Sequence, residues 1–284
     1  MRCIRHEGKR LMNRYDLVAF DMDGTLLTSE KHVSKNTRAA IKKAVQAGKQ
    51  VALATGRCIG ELKDCGDELA DIRYMVCESG ALLYDSWKDQ ILHRETLPES
   101  LVEFVLQAME DEDVMPYYFV EGQAVTERRK LEQLDHYLMG IYRPMMERIC
   151  VQVEDAAVNY RQHKPGLEKF NLFCASTKIR ERMREKLQNL PATFAYAETA
   201  SLEISPINVS KASGLVRLSS ILHIPVECMI AVGDADNDES MLRTAGLSVA
   251  MGNSLEHIKE LCDVVVADND HDGCAQVIEK YLLK

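Results

Sequence analysis

The run Leu17-Val18-Ala19-Phe20 is wholly apolar, only four residues long, and stops on Asp21. An apolar run this short, without alternation, reads as a strand buried on both faces. Residues 51–54 (VALA) repeat the pattern and stop on Thr55, and Tyr74–Cys77 (YMVC) repeats it again. Between the first two runs, Ala39, Ala40, Ile41, Ala44 and Val45 fall at helical spacing, and Gly48 stands where it would close that helix. A second helix separates the next pair. This β-α-β-α-β order predicts a parallel sheet with helices on its faces.

The last third returns to the same habit. Residues 228–232 (CMIAV) end on Gly233-Asp234, Leu247–Ala250 ends on Met251-Gly252, and residues 263–267 (DVVVA) end on Asp268. The middle differs. Over roughly 95–205, amphipathic helices at 99–110 and 177–190 alternate with strand-like pieces, YYFV, KFNLFCA and SLEIS. For 284 residues this predicts a doubly wound α/β core interrupted by an inserted α+β module. The core is expected to comprise residues 12–92 and 206–284, and the insert residues 93–205.

Charge and cysteine content narrow the function classes. The formal charge of −9 disfavours non-specific nucleic-acid binding, which needs a basic footprint. No stretch approaches 18 consecutive apolar residues, so no membrane span is expected. The opening MRCIRHEGKRLMN is basic but has no apolar core behind it, unlike a secretory signal. Residues 1–11 read as a ragged tail, with Met12 a candidate start. Nine cysteines, an odd number without a C-x-x-C pair, predict free thiols in a reducing cytoplasm and argue against a zinc site.

Ligand-binding groups in open α/β sheets gather beyond the carboxyl ends of the strands. Here those ends carry Asp21-Met22-Asp23-Gly24-Thr25, Thr55-Gly56-Arg57 and Gly233-Asp234-Ala235-Asp236-Asn237-Asp238, with Lys211 at an expected helix start. Asp21, Asp23 and Asp234 would bring oxygen donors around one point, which suits a hard cation such as Mg²⁺. Thr55, the Gly56 N–H and Lys211 suit the oxygens of a phosphate group. A carboxylate beside a cation and a lysine can attack a phosphate dianion, and a second carboxylate two residues on can protonate the leaving alkoxide.

Together these motifs resemble the haloacid dehalogenase superfamily of phosphohydrolases, and within it the Cof-type group, subclass IIB. Asp21–Leu26 (DMDGTL) fits its D-x-D-G-T-L motif, Thr55-Gly56-Arg57 its second, Lys211 its third and Gly233–Asp238 (GDADND) its fourth. Ala250–Asn253 (AMGN) and Asp272-Gly273 are also typical. The resemblance implies a Rossmannoid core with a C2-type cap, Mg²⁺ as cofactor, and a small phosphorylated metabolite as substrate. It implies that Asp21 is nucleophile and metal ligand, and that Asp23 is general acid/base, binding metal through its backbone carbonyl. Asp234 would be the third protein ligand. Asp238 would hold metal-bound water or orient Lys211. The Met22 N–H, Thr55, Gly56, Lys211 and Asn237 would hold the phosphate.

Two departures stand out. Ala235 replaces a usual Gly, Asn or Ser, in a loop expected to tolerate a methyl group. Glu78-Ser79-Gly80-Ala81 carries Ser where N-G-A is usual, which bears on the contact between core and cap. Arg57 is open to two readings, an ion pair with Glu78 or a substrate contact. Arg161, His163 and Lys164 read as a solvated basic turn in the cap. Asp268, Asp270, Asp272, Gly273 and Glu279 match a calcium-loop pattern, but the strand-like DVVVA precedes them where a helix is required, so an acidic loop capping the last helix is expected. A sugar phosphomutase or phosphotransferase on this scaffold and a non-enzymatic phosphometabolite sensor are the rival functions. Oligomeric state is not legible.

Overall fold

The computed structural model describes residues 15–284; the tail expected over 1–11 and the candidate start at Met12 lie outside them. Fourteen strands follow in chain order: β1 Leu17–Phe20, β2 Gln50–Ala54, β3 Tyr74–Cys77, β4 Leu82–Asp85, β5 Gln90–Arg94, β6 Val114–Val120, β7 Gln123–Glu127, β8 Val151–Val153, β9 Lys169–Cys174, β10 Ala192–Ala195, β11 Ser201–Pro206, β12 Met229–Gly233, β13 Leu247–Ala250 and β14 Val264–Val265. They form two sheets. The first has the order β14-β13-β12-β1-β2-β3-β4-β5 and the second β10-β11-β9-β6-β7-β8.

The first sheet is parallel from β14 to β3, with β4 and β5 added antiparallel at one edge. Both of its faces are covered. Val18 and Phe20 pack with Ile41 and Leu53 on one side, while Leu17 and Ala19 pack with Leu215 and Leu218 on the other. That is why β1 shows no polar alternation. The chain winds outward from β1 through β2 to β3, then returns to β12 on the other flank of β1, so the winding reverses between β1 and β12. Such a reversal opens a crevice above the strand ends. Phe20 pairs with Val232 in register, and the Asp21 N–H donates to the Val232 carbonyl at 2.9 Å. The first and fourth motifs therefore leave the sheet side by side.

The helix Lys35–Gln46 forms as its spacing predicts. Ser34 Oγ accepts from the Thr37 N–H, and Gly48 follows the cap residue Ala47 with φ +78°, the left-handed conformation in which glycine pays no steric penalty. The second sheet is antiparallel except for β7 with β8. One face packs on the helices Glu99–Met109, Ala156–His163 and Thr177–Lys186. The other carries Met115, Tyr117, Phe119 and Phe173.

Three elements differ from the sequence expectation by more than one residue at an end. β14 is two residues long rather than five: at its start side chains replace the ladder, Ser248 N–H donating to Asp263 Oδ2 and Asp263 N–H to Ser248 Oγ, each at 3.0 Å, and beyond Val265 single backbone bonds, Val266 N–H to the Ala250 carbonyl and Gly252 N–H to the Ala267 carbonyl, follow the end of β13. The helix from Thr177 ends at Lys186 rather than 190, consistent with Pro191 excluding Leu190 from the helical region. β6 begins at Val114, ahead of YYFV, and accommodates Pro116, whose carbonyl accepts from Thr126 Oγ1 at 2.6 Å. No helix among the described residues is long and apolar enough to cross a membrane. Cys58, Cys77, Cys174 and Cys274 are buried free thiols.

After β3, Glu78, Ser79 and Gly80 all adopt positive φ, with Gly80 at +108°. A Cβ on Gly80 would stand 2.0 Å from the Ser210 carbonyl oxygen, at the start of the helix Lys211–Leu222. Gly80→Ala should therefore destabilise the fold by about 1–3 kcal/mol, read as a lower urea midpoint. An unchanged midpoint would show that β3 and this helix are not in the tight contact described.

Candidate active site

Each strand end contributes one part of the site. Asp21 directly follows β1 and is 5% exposed. Lys211, 2% exposed, begins its helix behind the N-cap Ser210, whose Oγ accepts from the Ser213 N–H. The lysine Nζ donates to Asp21 Oδ1 at 2.5 Å and to Asp238 Oδ1 at 2.7 Å. Asp238 Oδ2 accepts the backbone N–H groups of Asp234 (3.0 Å) and Ala235 (3.1 Å), closing the loop after β12 on itself. Asp234 Oδ1 accepts from Thr25 Oγ1 at 2.9 Å. Gly24, at φ +82°, has no room for a side chain: a Cβ would lie 2.5 Å from Asp234 Oδ2. Ala235 has φ −133°, an extended conformation open to any residue, so its methyl is accommodated as expected.

One carboxylate oxygen each from Asp21, Asp234 and Asp238 lie within 4.8 Å of one another. Burial pushes Asp21 up to about 7 against the pull of Lys211, and Asp234 up to about 6 against its Thr25 hydrogen bond. Burial opposes the charge on Lys211, but Asp21 and Asp238 hold it well above the usual lysine range. The three carboxylates are an all-oxygen donor set, and buried carboxylates held above their ordinary range gain most from a neighbouring cation. The residues present thus fit a hard divalent ion.

The Asp23 side chain is not part of that trio. Arg57 Nε and Nη2 donate to its two oxygens at 2.9 and 2.8 Å, and Lys31 Nζ donates at 2.9 Å. Burial opposes ionisation of Asp23, yet Arg57 and Lys31 together hold it below its usual range. Of the two readings of Arg57, the Glu78 pair is not formed. Thr55, Gly56, Lys211 and Asn237 all line one cavity with Asp21 and Asp23. Met22, whose side chain is fully buried in the core, contributes none to that lining.

The cavity, about 630 Å³, lies between the strand ends and the second sheet. Sequence reasoning did not single out several of its residues. Lys31 has no motif signal. Lys169, behind the lining, does: it opens the apolar strand KFNLFC yet is 1% exposed, with Nζ 2.6 Å from Glu203 Oε2 and 3.2 Å from Ser79 Oγ, both of which line the cavity. The serine that departs from N-G-A thus touches the second sheet. The basic turn is solvated as expected: Arg161 pairs with Glu103 and Lys164 with Glu99, outside the cavity.

The calcium-like pattern also has another use, though not quite the expected one. Asp270 accepts from Ser29, and Asp272 from Ser34 and Asn36. Asp272 precedes the helix Gly273–Val277 without capping it by its side chain, so the acidic loop ties the last helix to the start of the chain rather than capping that helix.

Three comparisons with known proteins agree. A family model described as haloacid dehalogenase-like hydrolase matches residues 18–278. The phosphatase YwpJ of Bacillus subtilis is 30% identical, covering 94% of this chain and 99% of its own. The HMP-PP phosphatase of Serratia proteamaculans is 31% identical over 87% of each. A haloacid dehalogenase-like hydrolase from Bacteroides thetaiotaomicron, 24% identical, superimposes with a TM-score of 0.82 over 94% of this chain and 99% of that one, a likeness of fold.

Glu78 is fully buried, and neither of its carboxylate oxygens has a hydrogen-bond partner. Burial, reinforced by Glu168, pushes it well above the ordinary range. A carboxyl raised on folding loses stability as pH climbs past its unfolded value. Glu78→Gln should therefore raise the Tm at pH 8 by about 2–4 °C, the shift expected for about 1 kcal/mol in a domain of this size, with the gain shrinking toward pH 5. A gain independent of pH would show that the buried group is not titrating.

Proposed function

From its membership of the haloacid dehalogenase-like hydrolases, to which this chain belongs as a phosphatase of the Cof type, we propose that it hydrolyses small phosphorylated metabolites through a phospho-aspartate on Asp21, with Mg²⁺ as cofactor. The observation that carries this reading is the buried Lys211 bridge between Asp21 and Asp238, facing a cavity that also holds Thr55 and Asn237. The relative named for HMP-PP supports a small phosphorylated substrate.

In the first step an Asp21 oxygen attacks phosphorus, the bond to the leaving oxygen breaks, and Asp23 delivers a proton to that oxygen. In the second, Asp23 takes a proton from water, the water oxygen attacks phosphorus, and the Asp21 carboxylate is released with inorganic phosphate. Thr55, the Gly56 N–H, Asn237 and Lys211 hold the phosphoryl oxygens, and the Met22 N–H completes the cradle. Asp21 and Asp234, with the Asp23 backbone carbonyl, would hold the magnesium ion, and Asp238 would orient Lys211 or hold a metal-bound water. When bound, the ion offsets phosphate charge and stabilises charge in the transition state.

Asp23 must carry a proton in the first step, whereas Arg57 and Lys31 hold it ionised. An incoming phosphate dianion competes for both cations, and that exchange frees Asp23 to act as acid. Catalytic core and cap meet close to the expected limits of 92/93 and 205/206, shifted to 94/95 and 206/207 because β5 pairs in the first sheet as far as Arg94 and β11 in the second as far as Pro206; the cap excludes bulk water from the covalent intermediate. Buried free thiols suit the cytoplasm.

Phosphate release from 4-nitrophenyl phosphate with Mg²⁺ tests the assignment. Asp21→Asn should lower kcat by at least about 10³-fold, as loss of a nucleophile does, while leaving the fold intact by circular dichroism. Equal rates would remove Asp21 from the mechanism. Chelation with EDTA should abolish wild-type turnover and added Mg²⁺ restore it; turnover that persists after exhaustive chelation would overturn the metal assignment.

A further inference from the structure

Five buried side-chain atoms among the described residues lack a hydrogen-bond partner, and three of them belong to two carboxyl groups on opposite sides of the boundary between core and cap. Glu78 follows β3 in the core and leaves both of its oxygens unpartnered; Glu168 precedes β9 in the cap and leaves Oε2 unpartnered. Both residues are fully buried. They are neighbours. The next residue along on each side, Ser79 and Lys169, meet at 3.2 Å between Oγ and Nζ, and Glu168 is the strongest charged neighbour of Glu78. This is where the chain first crosses into the cap: Arg94, the last residue of β5, donates through Nε to Glu168 Oε1 at 2.5 Å and through Nη2 to the Gly166 carbonyl at 3.1 Å.

Every other charged group around the pair already has its counterpart. Glu168 Oε1 takes Arg94 and the Glu121 N–H, and Arg94 also pairs with the Glu121 carboxylate. Lys169 pairs with Glu203, and Arg57 with Asp23. Glu61, on the helix Ile59–Lys63, accepts from the Tyr117 hydroxyl and the Cys58 N–H. The nearby thiols of Cys58 and Cys77 are pushed up by burial and stay neutral. No donor is left for Glu78. A carboxyl buried without donor or counter-ion keeps its proton, and the O–H then needs an acceptor. Glu168 Oε2 is an acceptor without a donor. A metal ion is not what joins them: among the described residues three acidic groups converge only at Asp21, Asp234 and Asp238.

We propose that Glu78 and Glu168 share one proton across the boundary between core and cap, Glu78 donating its O–H to Glu168 Oε2, and that opening of the cap releases this proton. On opening, the O–H···O⁻ contact breaks, both groups enter water, and the proton passes to solvent, leaving two carboxylates. A hydrogen bond from a carboxyl to a carboxylate is charge-assisted and strong, so closure is favoured by protons. Its full strength is present below the ordinary glutamate range and declines as pH rises toward the raised value that Glu78 has when closed. Above that value two adjacent carboxylates repel. The device acts on the cap rather than on the phosphoryl group, so it does not depend on the phosphatase reading.

Hydrogen–deuterium exchange of the intact chain reads opening without substrate. The Gly60 N–H in the core donates to the Gly122 carbonyl in the cap at 2.9 Å, so its exchange reports their separation. After correction for the base-catalysed chemical rate, the open fraction from the fragment holding Gly60 should rise about 10-fold between pH 6 and pH 7, the slope for one proton released. Fragments from β1 should exchange more slowly throughout, which separates opening from unfolding. Glu78→Gln sets a non-titrating donor against Glu168, and Glu168→Gln sets one against Glu78, which can then ionise in place. Each should flatten the rise to within about 2-fold. A wild-type open fraction that does not change with pH would overturn the proposal, as would β1 fragments that exchange in step with Gly60; both comparisons stand even if a variant fails to fold. A rise that persists in Glu78→Gln would place the proton elsewhere, and one that persists in Glu168→Gln would show that the two do not share it. Either result contradicts the proposal.

Discussion

The site depends on one buried ammonium. Lys211 lies where the winding of the core sheet reverses and binds two carboxylates from opposite flanks, Asp21 after β1 and Asp238 after β12. Removing one partner of a buried ionic group leaves the other uncompensated, typically at about 3–5 kcal/mol, so all three hold each other in place. The backbone supports the same geometry. Asp238 uses its second oxygen to fold the 234–238 loop, Gly24 lets Asp234 approach, and the Ser210 cap fixes the helix from which the lysine projects.

This part of the molecule was legible in the sequence because strand, turn and candidate site residue are contiguous there. LVAF-D, VALA-T and CMIAV-GD each write the end of a buried strand next to the group it positions. The parallel core and the presence of an inserted module followed from the same runs. What was not legible depends on pairing between distant segments. Nothing local says that Arg57 pairs with Asp23 rather than Glu78, or that Asn171 falls between Tyr117 and Glu203; both are set by register. Lys169 was visible as a charge opening an apolar strand, but its partners lie 34 residues ahead and 90 behind. The start of β14 was placed one residue early because a valine run does not reveal that Ser248 and Asp263 side chains take over the ladder there.

The two sheets divide the chemistry between them. The core sheet supplies charge at fixed points, as phosphoryl transfer requires when positioning and electrostatics do most of the catalytic work. The second sheet supplies the apolar wall, with Tyr117, Phe119 and Phe173, that closes the cavity over them. Their junction is the strained turn at Glu78-Ser79-Gly80, where Ser79 meets Lys169 and Glu78 is buried without a donor. Strain and an acid without a donor at such a junction lower stability, and they persist because packing on both sides over-determines the turn.

The central claim is that Asp21 becomes covalently phosphorylated. Acid quenching during the first turnover with Mg²⁺ and 4-nitrophenyl phosphate, followed by mass analysis of the proteolytic fragment containing Asp21, tests it most directly. The account predicts one added phosphoryl group on that fragment at a level that decays as phosphate is released. A fragment that stays unmodified while product accumulates, with direct attack of water on the substrate shown by isotopic oxygen, would contradict it.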